Sequence, residues 1–156
     1  MATARRRALK ALKSDGNSAS IEHLVLRYLT AAQGDEGSGG GARLLDELLR
    51  SQNNNGGWGW RLDGPSDALG TGYALYGLSF VEPQRREPAV QRAWDFLAQT
   101  QRSNAAWNVP STLEEKHGAA YVVANDWGTA WAVIGLTRTL GASHAEPQRV
   151  ESAGRD

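Results

Sequence analysis

The chain contains no cysteine. That excludes disulfide staples, thiolate nucleophiles, iron–sulfur ligation and every zinc site that uses a thiolate. An excess of one charge is missing too. Seventeen basic residues stand against 17 acidic ones in 156, so no bulk field directs the protein to nucleic acid, membranes or acidic substrates. No run of about 18 apolar residues occurs, and nothing in the sequence reads as a membrane-spanning helix. The start, MATARRRALKALKSDG, has arginines without a following apolar stretch, so it does not read as a secretory signal. It reads as the solvated side of an amphipathic helix with Ala8, Leu9 and Leu12 turned inward, or alternatively as a transit peptide or a basic helix at a membrane surface. The expectation is a cytoplasmic protein, with peripheral membrane association as the alternative. Also missing is any segment alternating with a period of two long enough to suggest a sheet.

Helical spacing is what remains. It predicts six helices, over roughly 4–13, 20–32, 42–51, 66–80, 87–101 and 125–140. The glycine-rich GDEGSGGG (34–41) reads as a flexible connection. Ser66 is a candidate N-cap with Asp67 in the first turn, where the helix dipole favours an anion. Pro88 sits in a predicted first turn, and Gly141 supplies a predicted stop. Residues 1–141 read as a single repeat domain of about three helical hairpins, and 142–156 as a frayed polar tail.

The hairpins repeat. Gln52, Gly56 and Trp58 have the spacing Gln-x-x-x-Gly-x-Trp, and Gln101, Ala105 and Trp107 recur at that spacing with alanine for glycine. The likeness extends upstream, where LDELLRSQ (45–52) aligns with WDFLAQTQ (94–101), and downstream, where LGTGYALYGL (69–78) aligns with WGTAWAVIGL (127–136). The first two predicted helices look like a third, more degenerate copy. A hairpin cannot bury its apolar stripe alone, so stacked hairpins build one continuous core. The downstream helices are apolar nearly all round and suit an inner layer, whereas the upstream ones are amphipathic and suit an outer layer. The class expected is all-α, in two layers.

These motifs resemble the repeats of squalene–hopene and oxidosqualene cyclases, and more broadly the prenyltransferase-like α/α-toroid superfamily, over about residues 44–141. NDWGTAWAVIGL (125–136) is similar to the last inner helix of bacterial cyclase-like proteins. The resemblance implies that Gln52, Gly56, Trp58, Gln101, Ala105 and Trp107 tie repeats together rather than catalyse.

The cyclases' Asp-x-Asp-Asp acid motif is absent, as is the Asp-Asp-x-x-Asp metal motif of other terpene synthases. The zinc site of the related protein prenyltransferases needs a cysteine that the chain lacks. Asp63 and Asp67 are the nearest acids, and Asp67 reads better as a helix-start residue than as a general acid. His23, His117 and His144 lack ligand spacing, and Glu114, Glu115 and His117 read as a solvated turn. No catalytic residue, metal or cofactor is therefore expected. Tyr73, Tyr76, Trp127 and Trp131 fall on the predicted inner helices. They read first as core packing, and second as the lining of a site for an isoprenoid or other apolar small molecule.

Three functional readings follow: a scaffold or apolar-ligand segment of a larger protein or oligomer; a cyclase or prenyltransferase subunit taking its acid from another chain or region; and a helical-repeat protein-interaction module. An open part-ring would expose inner-helix surface, so additional toroid repeats or self-association are expected as partners.

Overall fold

A computed structural model describes residues 19–32, 39–110 and 122–143, preceded by Arg7, Lys10 and Ala11; for Ala142 and Ser143 it describes the backbone alone. These residues form five helices: α1 (Ile21–Ala32), α2 (Gly39–Arg50), α3 (Ala68–Leu78), α4 (Pro83–Thr100) and α5 (Val122–Ser143). Among the described residues there is no strand, and two isolated bridges, Ser20 with Arg61 and Trp58 with Asp67, are the β-type pairings. The expected helix over 4–13 lies almost wholly outside the described residues.

The three inner helices α1, α3 and α5 stand in a row with α3 in the middle. The outer helix α2 packs on α1, and α4 bridges α3 and α5. The molecule is thus all-α and two-layered, part of an α/α toroid. The sequence of each helix accounts for its layer. In α3, ALGTGYALYGL, ten of eleven residues are buried, as an apolar helix without a polar face requires. The outer helices bury one stripe each, Leu45 and Leu48 in α2 and Ala89, Val90, Ala93, Phe96 and Leu97 in α4. Leu48, Leu75, Leu78 and Leu97 are wholly enclosed, and each contributes roughly 1.5–3 kcal/mol by leaving water.

The closest helix contact, between α3 and α5, depends on two glycines. A Cβ on Gly135 would come within 2.8 Å of the Gly72 carbonyl oxygen, and one on Gly72 would strike the Trp131 carbonyl. The two backbones touch there.

Several helix boundaries differ from those the sequence predicts. Gly39–Gly41 is the first turn of α2 rather than part of a connection. Glycine disfavours a helix by about 1 kcal/mol per residue, but Gly41 lies against α1, with space for a Cβ only 3.6 Å from the Ala32 nitrogen. Packing outweighs propensity there.

Asp67, not Ser66, is the N-cap of α3, and its side chain accepts from the Gly70 amide. The Ser66 hydroxyl instead hydrogen-bonds Asn55 and Asn53. α4 begins a turn early, with Pro83 in its first turn and Pro88 inside the helix. That early turn is held by buried Arg86, whose guanidinium donates to the Leu78 carbonyl at 3.2 Å, and by Arg85 with Asp46 at 2.9 Å. α5 starts before Asn125 and passes through Gly141 to Ser143. Glycine permits a terminating turn without imposing one.

Candidate functional site

Each outer helix runs into the next inner helix through the same joint. In the first, the Gln52 amide nitrogen donates to the Gly56 carbonyl at 2.7 Å and to the Ala89 carbonyl of α4 at 2.9 Å. Arg92 of α4 donates to the Gln52 amide oxygen. The chain between closes through Asn53 N–H to Gly57 O and Gly56 N–H to Asn53 O, both 2.9 Å, with Gly56 at φ 88°. Trp58 is completely buried. Its indole N–H donates to the Leu48 carbonyl at 2.9 Å, one of the terminal carbonyls that α2 cannot satisfy internally.

The second joint repeats the bonds within the loop and from the indole, without a described counterpart of the Gln52–Ala89 and Arg92–Gln52 bonds to α4. Gln101 donates to the Ala105 carbonyl at 3.0 Å and the Trp107 indole to the Leu97 carbonyl at 2.9 Å. Arg102 N–H to Ala106 O and Ala105 N–H to Arg102 O close the turn at 2.9 Å. Ala105 adopts φ 62°, a left-handed conformation unusual for a residue with a Cβ.

Two further pairs belong to the joints and escaped the sequence reading. The Trp58 amide donates to Thr71 Oγ1 at 3.0 Å and the Trp107 amide to Thr129 Oγ1 at 3.2 Å. The Trp60 amide donates to Asp67 at 2.7 Å and the Val109 amide to Asn125 at 2.6 Å. The signal was present, because the alignment of 69–78 with 127–136 pairs Thr71 with Thr129 and, extended two residues upstream, Asp67 with Asn125.

Between α3 and α5 runs a row of aromatic rings. Tyr73 stacks on Trp131 with centroids 4.0 Å apart, and Trp131 meets the edge of Tyr76 at 5.7 Å. Trp60 extends the row at one end, 5.9 Å from Tyr73, and Phe80 at the other, 5.4 Å from Tyr76. The Arg138 guanidinium lies 5.9 Å from the Tyr76 ring, within cation–π range. The row thus brings together three of the four expected lining residues. Trp127, one turn before Trp131, is 58% exposed. The Tyr73 hydroxyl donates to Glu22 of α1 at 3.2 Å. Burial and that carboxylate push the phenol well above its ordinary range.

With two-layered hairpins and repeated joints in place, comparison with known families becomes decisive. The squalene–hopene cyclase C-terminal domain family matches residues 8–152. The chain belongs to that family. No curated protein matches it.

In this cyclase C-terminal domain the acids near the row are engaged. Both Asp67 oxygens accept backbone amides, Gly70 at 2.7 Å and Trp60 at 2.7 Å. Burial pushes its carboxyl above the usual carboxylate range, and the amides of Gly70, Trp60 and Leu69 oppose that. Asp63 is exposed and lies 3.5 Å from Arg61. Among the described residues no three His, Asp or Glu side chains gather as metal ligands would. His23 is buried on α1, and its Nε2 has no partner among the described residues. Glu114, Glu115, His117 and His144 lie outside them. No helix among the described residues is long and apolar enough to cross a membrane.

Proposed function

We propose that this domain is a wall segment of a terpenoid-cyclase-like toroid. Its two Gln–Trp joints act as structural ties, and its aromatic row borders the space for an apolar, isoprenoid-type ligand. The observation that carries the reading is the continuity of the row. Five rings, from Trp60 to Phe80, follow one another within 6 Å across two helices and the two segments flanking α3. A packed core needs apolar volume but not ring after ring. Extended aromatic faces favour contact with a polyprenyl chain and with positive charge on it.

The near acids Glu22, Asp63 and Asp67 are engaged by the Tyr73 hydroxyl, by a guanidinium and by backbone amides, so the proton for any cyclisation is assigned to another region or chain. The scaffold residues are Gln52, Gly56, Trp58, Gln101, Ala105 and Trp107. The lining residues are Tyr73, Tyr76, Trp127 and Trp131, together with Trp60 and Phe80. Residues 1–141 are assigned to one repeat domain.

The test titrates the purified chain with a long-chain tertiary amine, protonated at neutral pH as a stand-in for a carbocation, and follows tryptophan fluorescence. Saturable binding is expected. Phe80→Ala and Trp127→Ala each remove about 1 kcal/mol, roughly fivefold in Kd, with the melting temperature unchanged. No saturable binding, or binding indifferent to both variants, overturns the ligand reading.

A further inference from the structure

The rings of the aromatic row are alike, but the charges beside them are not. A carboxylate stands near one end. The segment after the first joint is fastened to the start of α1, with the Ile21 amide donating to the Trp60 carbonyl at 2.9 Å and the Leu62 amide to the Ala19 carbonyl at 2.8 Å. Trp60 is thereby set against Ile21, the residue before Glu22. An acid in a first turn ordinarily serves its own helix, but the side-chain bond to this turn comes from Ser20, whose hydroxyl accepts the His23 amide at 3.3 Å. Half-buried Glu22 reaches across to α3 instead and accepts the Tyr73 hydroxyl at 3.2 Å. Burial and the carboxylate itself hold that phenol in its protonated, neutral form. The bond therefore orients the carboxylate without neutralising it.

A guanidinium stands toward the other end. Arg138 lies 5.9 Å from the centroid of Tyr76, the ring that leads on to Phe80. A cation already over Tyr76 uses the attraction of that ring and repels a second cation there. The guanidinium next to Trp60 in the chain, that of Arg61, is offset by Asp63 at 3.5 Å. The row thus has a direction, with negative charge beside Tyr73 and positive charge beside Tyr76.

We propose that Glu22 is the counter-charge for a long-chain ammonium, whose positive centre lies by Trp60 and Tyr73 and whose hydrocarbon chain runs along the row toward Phe80. The inference rests on the reading of the row as a ligand wall, and it narrows that wall's ligand from apolar molecules in general to one that arrives charged. Such a ligand needs no proton from this domain, in keeping with the engagement of Asp63 and Asp67 by other groups. Glu22 acts by charge alone and neither gives nor takes a proton. Arg138 sets the direction by repulsion.

The test titrates the full chain with two ligands of one hydrocarbon chain, a tertiary amine and the matching alcohol, and follows tryptophan fluorescence. The amine is expected to bind about fivefold more tightly than the alcohol, a margin that shrinks at about 1 M salt. Glu22→Gln keeps an acceptor for the Tyr73 hydroxyl. It is expected to erase the margin by weakening the amine alone, with the melting temperature unchanged. Arg138→Gln is expected to alter amine affinity by less than about twofold, because the cation sits away from it. Equal affinity for amine and alcohol in the natural chain overturns this proposal and leaves the wall reading standing, whereas binding of neither overturns both. A loss of amine and alcohol alike in Glu22→Gln overturns the counter-charge, and so does an unchanged margin. Tightening of the amine in Arg138→Gln as large as the Glu22→Gln loss places the cation at the Phe80 end and overturns the direction.

Discussion

Trp58 lies within NNNGGWGW (53–60), a stretch whose composition reads as mobile, yet it is among the largest fully buried side chains of the described residues. The glycines around it are the means by which the backbone closes over the ring, and the indole N–H reaching Leu48 binds the loop to the end of α2. Truncation to alanine removes the ring and leaves a cavity between α2 and α3. Trp58→Ala is expected to lower stability by about 3–5 kcal/mol, measured as a fall in the urea midpoint; an unchanged midpoint would contradict the buried-tie role. This much was legible in the sequence, because the motif occurs twice and a repeated Trp at fixed spacing points to a repeated structural need. The partner threonines and the Asp67–Asn125 pair were legible in principle, but a hydroxyl or carboxyl has many local uses, and only three-dimensional placement opposite Trp58, Trp60, Trp107 and Val109 selects one.

At the scale of elements, layers follow from pattern and boundaries from contacts. The apolar character of α3 on every side required it to be enclosed, and the leucine stripes of α2 required one buried face. The starts of α2 and α4 did not follow, since a run of glycines and an Arg–Arg segment near Pro88 carry weak helical signals of their own. Contact with α1 in one case and the Arg86–Leu78 bond in the other supplied the stability that local propensity lacked. The α3–α5 crossing is equally a matter of contact. Gly72→Ala inserts a methyl against the Trp131 and Ala132 backbone, and the gain in helix propensity of about 1 kcal/mol does not offset an overpacking cost of about 1–3 kcal/mol. The expected result is a net loss of stability, with altered fluorescence from Trp131 as its stacking on Tyr73 loosens. A stabilised variant with an unchanged spectrum would mean the helices are farther apart than described.

For the whole molecule, the two ends of the inner row are unequal. α3 is enclosed, whereas α5 leaves Val123, Trp127 and Ile134 exposed on one side, a strip that an isolated soluble surface rarely carries without use. Replacing all three by serine should sharply reduce binding of a hydrophobic dye while leaving the unfolding midpoint nearly unchanged, since exposed positions typically contribute within about 0.5 kcal/mol each. A large loss of stability would show these side chains to be packed.

The sequence by itself determined the class, the repeat and the family, because hydrophobic period and motif spacing are one-dimensional properties written directly in residue order. It also carried the aromatic residues at matching inner-helix positions. Only the tertiary structure decided that Trp60 and Phe80 join Tyr73, Tyr76 and Trp131 in one row, since a ring contact depends on distance and angle between helices. It alone decided that Gly72 and Gly135 let α3 and α5 touch, because what a missing Cβ makes room for is defined by the neighbour across the gap and not by the helix that bears it.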